Sequence, residues 1–232
     1  MGSILGQPLE SVDPPYHFPG YQSTGLRGPN RNPLIIRPGD TELHAPVFGE
    51  SRIGPNDNDL TAQHQGQPIG EKIIVSGRLL DSRGKPIANQ LIEIWQANSA
   101  GRYAHKLDDH DAPLDPNFTG GGRTLTDSNG VYRFTTIKPA AYPWGNHPNA
   151  WRPAHIHFSL FGTAFDQRLI TQMYFPGDPT MDSDPIANSI RDKKVLARLI
   201  SDFDWDLTIS GIALGYRWDI VLGGPNPTPE AK

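Results

Sequence analysis

Cysteine is missing from all 232 residues, and that one absence removes disulfide staples, thiolate metal sites, iron–sulfur clusters and a cysteine nucleophile. Any metal must therefore sit on nitrogen and oxygen donors. Blocks of Lys and Arg are lacking too: 21 basic residues are interspersed with 25 acidic ones, for a formal net charge of −4. Neither a nucleic-acid footprint nor a polybasic membrane patch fits that distribution, which leaves a small soluble substrate as the expected partner. No apolar run approaches a membrane span, and residues 1–20 lack a basic start followed by an apolar stretch, so the chain reads as cytoplasmic. Helical periodicity is scarce. It is convincing only over residues 192–203, where Val195, Leu196, Leu199 and Ile200 share one face and form a short peripheral helix.

What is present divides the chain in two. Residues 1–70 are rich in Pro, Gly, Asn and Asp, and Pro14-Pro15, Pro19-Gly20, Gly28-Pro29 and Gly54-Pro55 interrupt every short apolar run. Such a segment makes no core alone. Its Tyr16, Phe18, Tyr21, Leu34, Ile35 and Ile36 mark it as an N-terminal arm that packs on the body of the chain or on a partner subunit, with a disordered tail as the alternative. Residues 71–232 form the body, and the 36% hydrophobic content of the 232-residue chain allows one sizeable core.

Within the body, β-branched and aromatic runs recur: Ile73-Ile74-Val75, Leu91-Ile92-Glu93-Ile94-Trp95, Val131-Tyr132-Arg133-Phe134, and further runs over residues 155–160, 169–175 and 216–222. Between them lie turn clusters such as Asp81-Ser82-Arg83-Gly84 and Asp127-Ser128-Asn129-Gly130, whose Gly and Asn supply positive φ. Short strands punctuated in this way predict a mainly β fold, an antiparallel β-sandwich.

The strongest chemical signal is Trp151-Arg152-Pro153-Ala154-His155-Ile156-His157. On a strand, side chains at i and i+2 point to one face, so His155 and His157 can turn toward a single point while Ile156 packs behind them. A metal site and an ordinary polar alternation both remain open at this stage. Two tyrosines stand near in sequence, Tyr103 in Gly101-Arg102-Tyr103 and Tyr142 between Ala141 and Pro143, and each alone reads equally as a packing residue.

Taken together, Trp95-Gln96-Ala97-Asn98, Gly101-Arg102-Tyr103, Leu114-Asp115-Pro116-Asn117-Phe118, Tyr142-Pro143-Trp144 and the segment from Trp151 to His157 resemble the intradiol ring-cleavage dioxygenase family, in its protocatechuate 3,4-dioxygenase β-subunit branch. The ordered motifs run from about Pro14 to Leu222. The resemblance implies a non-haem Fe(III) enzyme that cleaves a catechol with dioxygen between its two hydroxyl-bearing carbons. For protocatechuate (3,4-dihydroxybenzoate) the product would be 3-carboxy-cis,cis-muconate. It also implies Tyr103, Tyr142, His155 and His157 as metal ligands, with Tyr142 leaving as a proton acceptor. Arg152 would stabilise charge on the bound ring and Gln172 would be a polar partner, while Tyr21, Trp144 and Ile186 would contact substrate. A homologous α subunit in a hetero-oligomer is implied as partner.

Gly145 departs from the resemblance, because relatives that take a carboxylated catechol often carry Arg there. That leaves room for another 4-substituted catechol such as 4-sulfocatechol. Two other readings compete: a Zn or Fe(II) enzyme using the His pair plus a carboxylate such as Asp115, and a non-catalytic transthyretin-like binding module.

Overall fold

A computed structural model describes residues 12–27, 31, 53–145, 150–161 and 168–231. Leu34, Ile35 and Ile36 of the arm lie outside the described residues. Of the arm, residues 12–27 include a single helical turn, α1 (Thr24–Arg27). The body strands are β1 (Lys72–Leu80), β2 (Leu91–Gln96), β3 (Gly121–Leu125), β4 (Val131–Ile137), β5 (Tyr142–Pro143), β6 (Trp151–Arg152), β7 (His155–Phe161), β8 (Arg168–Tyr174), β9 (Asp202–Phe203), β10 (Leu214–Arg217) and β11 (Ile220–Val221). Helices α2 (Pro185–Ser189) and α3 (Lys193–Leu196) lie between β8 and β9.

One sheet runs β11-β1-β10-β9 with β4 on the other side of β1, and a second runs β3-β2-β7-β8. The alternation of β1 and β4 turns Ile73, Val75, Tyr132 and Phe134 inward, and that of β2 and β7 turns Ile92, Ile94, Ile156 and Phe158 to meet them. Phe158 is the joint between the sheets. Its ring packs edge-on against Tyr132 and Phe134 at 5.9 Å and against Trp218 at 4.8 Å. The sandwich is therefore as expected, although β1 pairs in parallel with both β10 and β11.

Four local expectations need correction. The run over 216–222 is two strands, because the backbone swings in at Trp218, whose N–H donates to the Ser76 carbonyl. Gly77 allows this: a Cβ there would stand 1.7 Å from the Trp218 carbonyl oxygen. The helix over 192–203 is shorter. It starts where the Asp192 carboxylate caps Lys194 N–H, passes into a 3-10 turn at Ala197–Leu199, and ends because Ile200 turns extended and bridges Tyr174. A second helix, α2, was not foreseen. In the tight turns, Gly84 and Gly130 do adopt positive φ, whereas among the described non-glycine residues only Asn89 does so, not Asn129.

The segment ahead of β1 lies along the sandwich edge. Leu60 is fully buried and its N–H donates to the Thr135 carbonyl, while Arg123 N–H donates to the Asp57 carbonyl. Farther upstream, Asp13 accepts from Glu230 N–H.

Candidate active site

The site forms on the outer face of the second sheet. Register pairs His155 with Tyr174, His157 with Gln172, and His157 with Trp95, so the period-two rule places all five on one face. The Trp95 ring stacks on His157 at 4.7 Å and 3° between planes, which fixes that imidazole plane.

Two loops carry the tyrosines to this face. After β2 the Asn98 carboxamide oxygen accepts from Ala100 N–H and Arg102 N–H, knotting the turn, and Asp108 accepts from Tyr103 N–H at 2.7 Å. Gly101, at φ +79°, brings this turn against the next element: a Cβ there would stand 2.8 Å from the Ala141 carbonyl. Tyr142 sits on that element, β5, which pairs with β6 so that Tyr142 lies opposite Arg152. The Tyr103 and Tyr142 rings meet edge-on at 5.5 Å, and Tyr142 tilts over His155 at 5.6 Å.

Three donor atoms converge. Tyr103 Oη lies 3.4 Å from His155 Nε2 and 3.1 Å from His157 Nε2, and the two Nε2 atoms are 3.2 Å apart. His155 Nδ1 lies 2.6 Å from the Pro153 carbonyl, an acceptor only, so Nδ1 carries the proton and Nε2 keeps its lone pair. Burial pushes both imidazoles well below the ordinary histidine value, helped at His155 by Arg152 and at His157 by His155 and Arg152. They are neutral donors at pH 7. Burial, then neighbouring Tyr142, pushes the Tyr103 hydroxyl well above the ordinary tyrosine value. A phenolate is disfavoured at that spot unless a cation stands beside it, and nitrogen and phenol donors clustered without thiolate or carboxylate suit a hard, highly charged metal ion.

Arg152 is buried and ion-paired with buried Asp184 at 3.0 Å. Burial is the largest influence and opposes its charge, but Asp184 together with Tyr174 and Tyr142 more than offsets it, so the guanidinium pKa is raised. Arg152 is thus no surface salt-bridge residue, and Gln172, also buried, is not solvent-facing. The Arg152 Nη1 atom reaches His155 Nε2 at 3.2 Å, its Nη2 donates to the Gln172 carboxamide oxygen, and its guanidinium lies 5.3 Å over the Trp144 ring. An adjoining cleft of about 1020 Å³ is lined by residues including Tyr103, Tyr142, Trp144, Gly145, Trp151 and His157. Tyr21 is behind this wall, packed edge-on against Trp144 at 5.0 Å, and Ile186 is buried in the core at the start of α2.

Asp115 does not join the site. Its carboxylate accepts from Ile69 N–H and Asn117 N–H, and among the described residues no group of three or more His, Asp and Glu side chains could hold a metal. Sequence reasoning missed Asp184 and Tyr174. The alternation Gln172-Thr171-free face of β8 could have flagged Tyr174, two residues on from Gln172; nothing local points from Asp184 to Arg152.

The two-layer β-sandwich thus gathers two tyrosines and two histidines over one sheet face, a set of nitrogen and phenol donors of the kind a metal ion can use. A family model described as dioxygenase matches residues 43–224, and one described as the N-terminal part of the protocatechuate 3,4-dioxygenase beta subunit matches residues 8–39. The chain is 57% identical over 221 residues to a protocatechuate 3,4-dioxygenase beta chain of Burkholderia cepacia, covering 94% of each. It is 30% identical over 196 residues to a catechol 1,2-dioxygenase of Candida albicans, covering 79% of this chain and 61% of that enzyme. Among solved structures, a 3-chlorocatechol 1,2-dioxygenase from Rhodococcus opacus aligns at TM-score 0.55 and 28% identity over 83% of this chain and 70% of that one. A mercury-inhibited catechol 1,2-dioxygenase from an Acinetobacter species aligns at TM-score 0.52 and 28% identity, over 72% and 56%. The chain belongs to the intradiol ring-cleavage dioxygenase family. Membership sets aside the non-catalytic binding module.

Proposed function

We propose that this chain carries non-haem Fe(III) on Tyr103, Tyr142, His155 and His157, and with dioxygen opens protocatechuate between its hydroxyl-bearing carbons to give 3-carboxy-cis,cis-muconate. The observation that carries this reading is the convergence of Tyr103 Oη, His155 Nε2 and His157 Nε2 within 3.1–3.4 Å of one another. The choice of substrate follows the name of the Burkholderia cepacia relative. Bound Fe(III) would supply Lewis-acid activation and a template for a chelated catechol.

The remaining chemistry falls to the chain's own groups. Tyr142 is half-buried on a two-stranded hairpin at the cleft wall, placed to accept a proton from an incoming catechol hydroxyl. Arg152, permanently charged beside His155, offsets negative charge that builds on the bound ring. Gln172 shares that guanidinium, Trp144 gives the cleft an aromatic wall that Tyr21 backs, and Ile186, expected to contact substrate, is instead buried in the core and is not among the residues lining the cleft. The arm over 1–70 and the catalytic body over 71–232 work with a homologous α subunit in a hetero-oligomer. Supporting this are Leu107 and Trp151 on the cleft wall, 79% and 45% exposed, an apolar rim suited to a protein partner. No helix among the described residues is long and apolar enough to cross a membrane.

A second reading, the same chemistry on 4-sulfocatechol, is favoured at Gly145, where an added Cβ would meet no atom of the described residues within 4 Å. Incubating the iron-loaded hetero-oligomer with protocatechuate and oxygen should yield the 3-carboxy-muconate with matched oxygen uptake. Intact protocatechuate under those conditions would overturn the proposal.

A further inference from the structure

Arg152 is almost wholly buried and is ion-paired with the carboxylate of Asp184, a residue outside the ligand and substrate set. Asp184 Oδ1 accepts from Arg152 Nε at 3.0 Å and Oδ2 from Arg152 Nη2 at 3.1 Å, a two-point pairing. Tyr174 Oη donates to the same Oδ2 at 2.9 Å and lies 3.3 Å from Arg152 Nη2. A guanidinium is planar and rigid, so fixing Nε and Nη2 also fixes where Nη1 points. Here Nη1 points at His155 Nε2, 3.2 Å away.

The carboxylate has one more duty. Oδ1 also accepts from Ile186 N–H at 3.1 Å, capping α2, whose first residue is Pro185. One side chain thus joins the charged group beside the ligand histidine to the start of the element that carries Ile186. The fork pairing, the Tyr174 bond and the cap together determine the direction of the guanidinium as well as offsetting its charge.

We propose that Asp184, supported by Tyr174, is the positioning residue for Arg152, holding Nη1 at the reacting centre while tying the Ile186 backbone to the same point. The inference rests on the assignment of Arg152 to the reacting ring. A misdirected guanidinium would still occupy the site but act poorly on the transition state, so kcat falls while substrate affinity is kept.

The test uses the iron-loaded hetero-oligomer carrying Asp184→Asn, Asp184→Glu, Tyr174→Phe or, as control, Arg152→Met. Asn is as good a helix cap as Asp, so Asp184→Asn separates the cap from the charge. We expect kcat to fall about 100-fold in Asp184→Asn and about tenfold in Tyr174→Phe. The anaerobic dissociation constant for protocatechuate, read by optical titration, should stay within about threefold of wild type in both, and Asp184→Glu should recover part of the loss. In the metal-free protein Asp184→Asn should lower Tm by roughly 6–20 °C alone, and far less in an Arg152→Met background. If Asp184→Asn does not fold, Asp184→Glu and Tyr174→Phe decide alone. Wild-type kcat in the folded Asp184 and Tyr174 variants, with a large loss in Arg152→Met, overturns the positioning role. Wild-type kcat in Arg152→Met overturns instead the function assigned to Arg152, and this inference with it.

Discussion

Gly145→Arg should move substrate preference toward anionic catechols. Gly145 lines the cleft beside Tyr142 and Trp144, and a Cβ built there meets no described atom within 4 Å. Its φ lies outside the positive region, so an L side chain costs no backbone strain. An Arg pairing with a substrate carboxylate is a charge-assisted hydrogen bond worth about 1.5–3 kcal/mol when shielded from water. Gly145 is exposed, and solvent screening together with the ordering of a long side chain keeps the gain near the low end, about tenfold in kcat/KM. Unsubstituted catechol offers no anion and serves as the control. The assay compares kcat/KM for protocatechuate, catechol and 4-sulfocatechol in wild type and variant; the ratio of protocatechuate to catechol should rise about tenfold. An unchanged ratio would refute the placement of the ring substituent near Gly145. Equal use of catechol and both anions by wild type would mean that no anion pocket exists.

Other outcomes follow from the same geometry. Metal-free protein should lose stability as pH falls below about 6.5, because the unfolded chain takes up protons that buried His155 and His157 refuse; the loss is up to about 1.4 kcal/mol per pH unit for each imidazole, and Tm against pH should flatten in a His155→Gln, His157→Gln double variant. Phe158→Ala, which removes the joint between the sheets, should cost about 3–5 kcal/mol in denaturant titrations, and a loss under 1 kcal/mol would mean the core closes over the gap. Expressed without a homologous α chain, the protein should show impaired turnover that co-expression restores; a fully active monomer would contradict the partner assignment.

The fold was readable where local rules decide it and obscure where distant contacts do. Period-two alternation around Ile156 sufficed to put His155 and His157 on one face, and β7 does so. The turn at Gly84 followed from glycine's freedom, but the clamp is the Asp81 carboxylate, which accepts from Arg83 and Lys85 N–H. By contrast, no local pattern warned that Trp218 would bond to Ser76, or that Ile200 would leave its helix to bridge β8. In the site, the tyrosines came from the family resemblance, since neither spacing nor composition separates a ligand Tyr from a packing one. Asp184 stayed hidden because Asp-Pro reads as an ordinary helix start, and its reach to Arg152 is a tertiary contact spanning 32 residues. Conversely, Arg152 and Gln172 have ordinary surface readings in sequence, and only their burial decides against them.

The most direct test of the metal centre is the visible absorption spectrum of the purified native protein, taken with its metal content before and after anaerobic addition of protocatechuate. Stoichiometric iron is expected, with a tyrosinate-to-Fe(III) charge-transfer band that shifts when substrate is added and an altered band in Tyr103→Phe. A colourless protein holding stoichiometric zinc would contradict it.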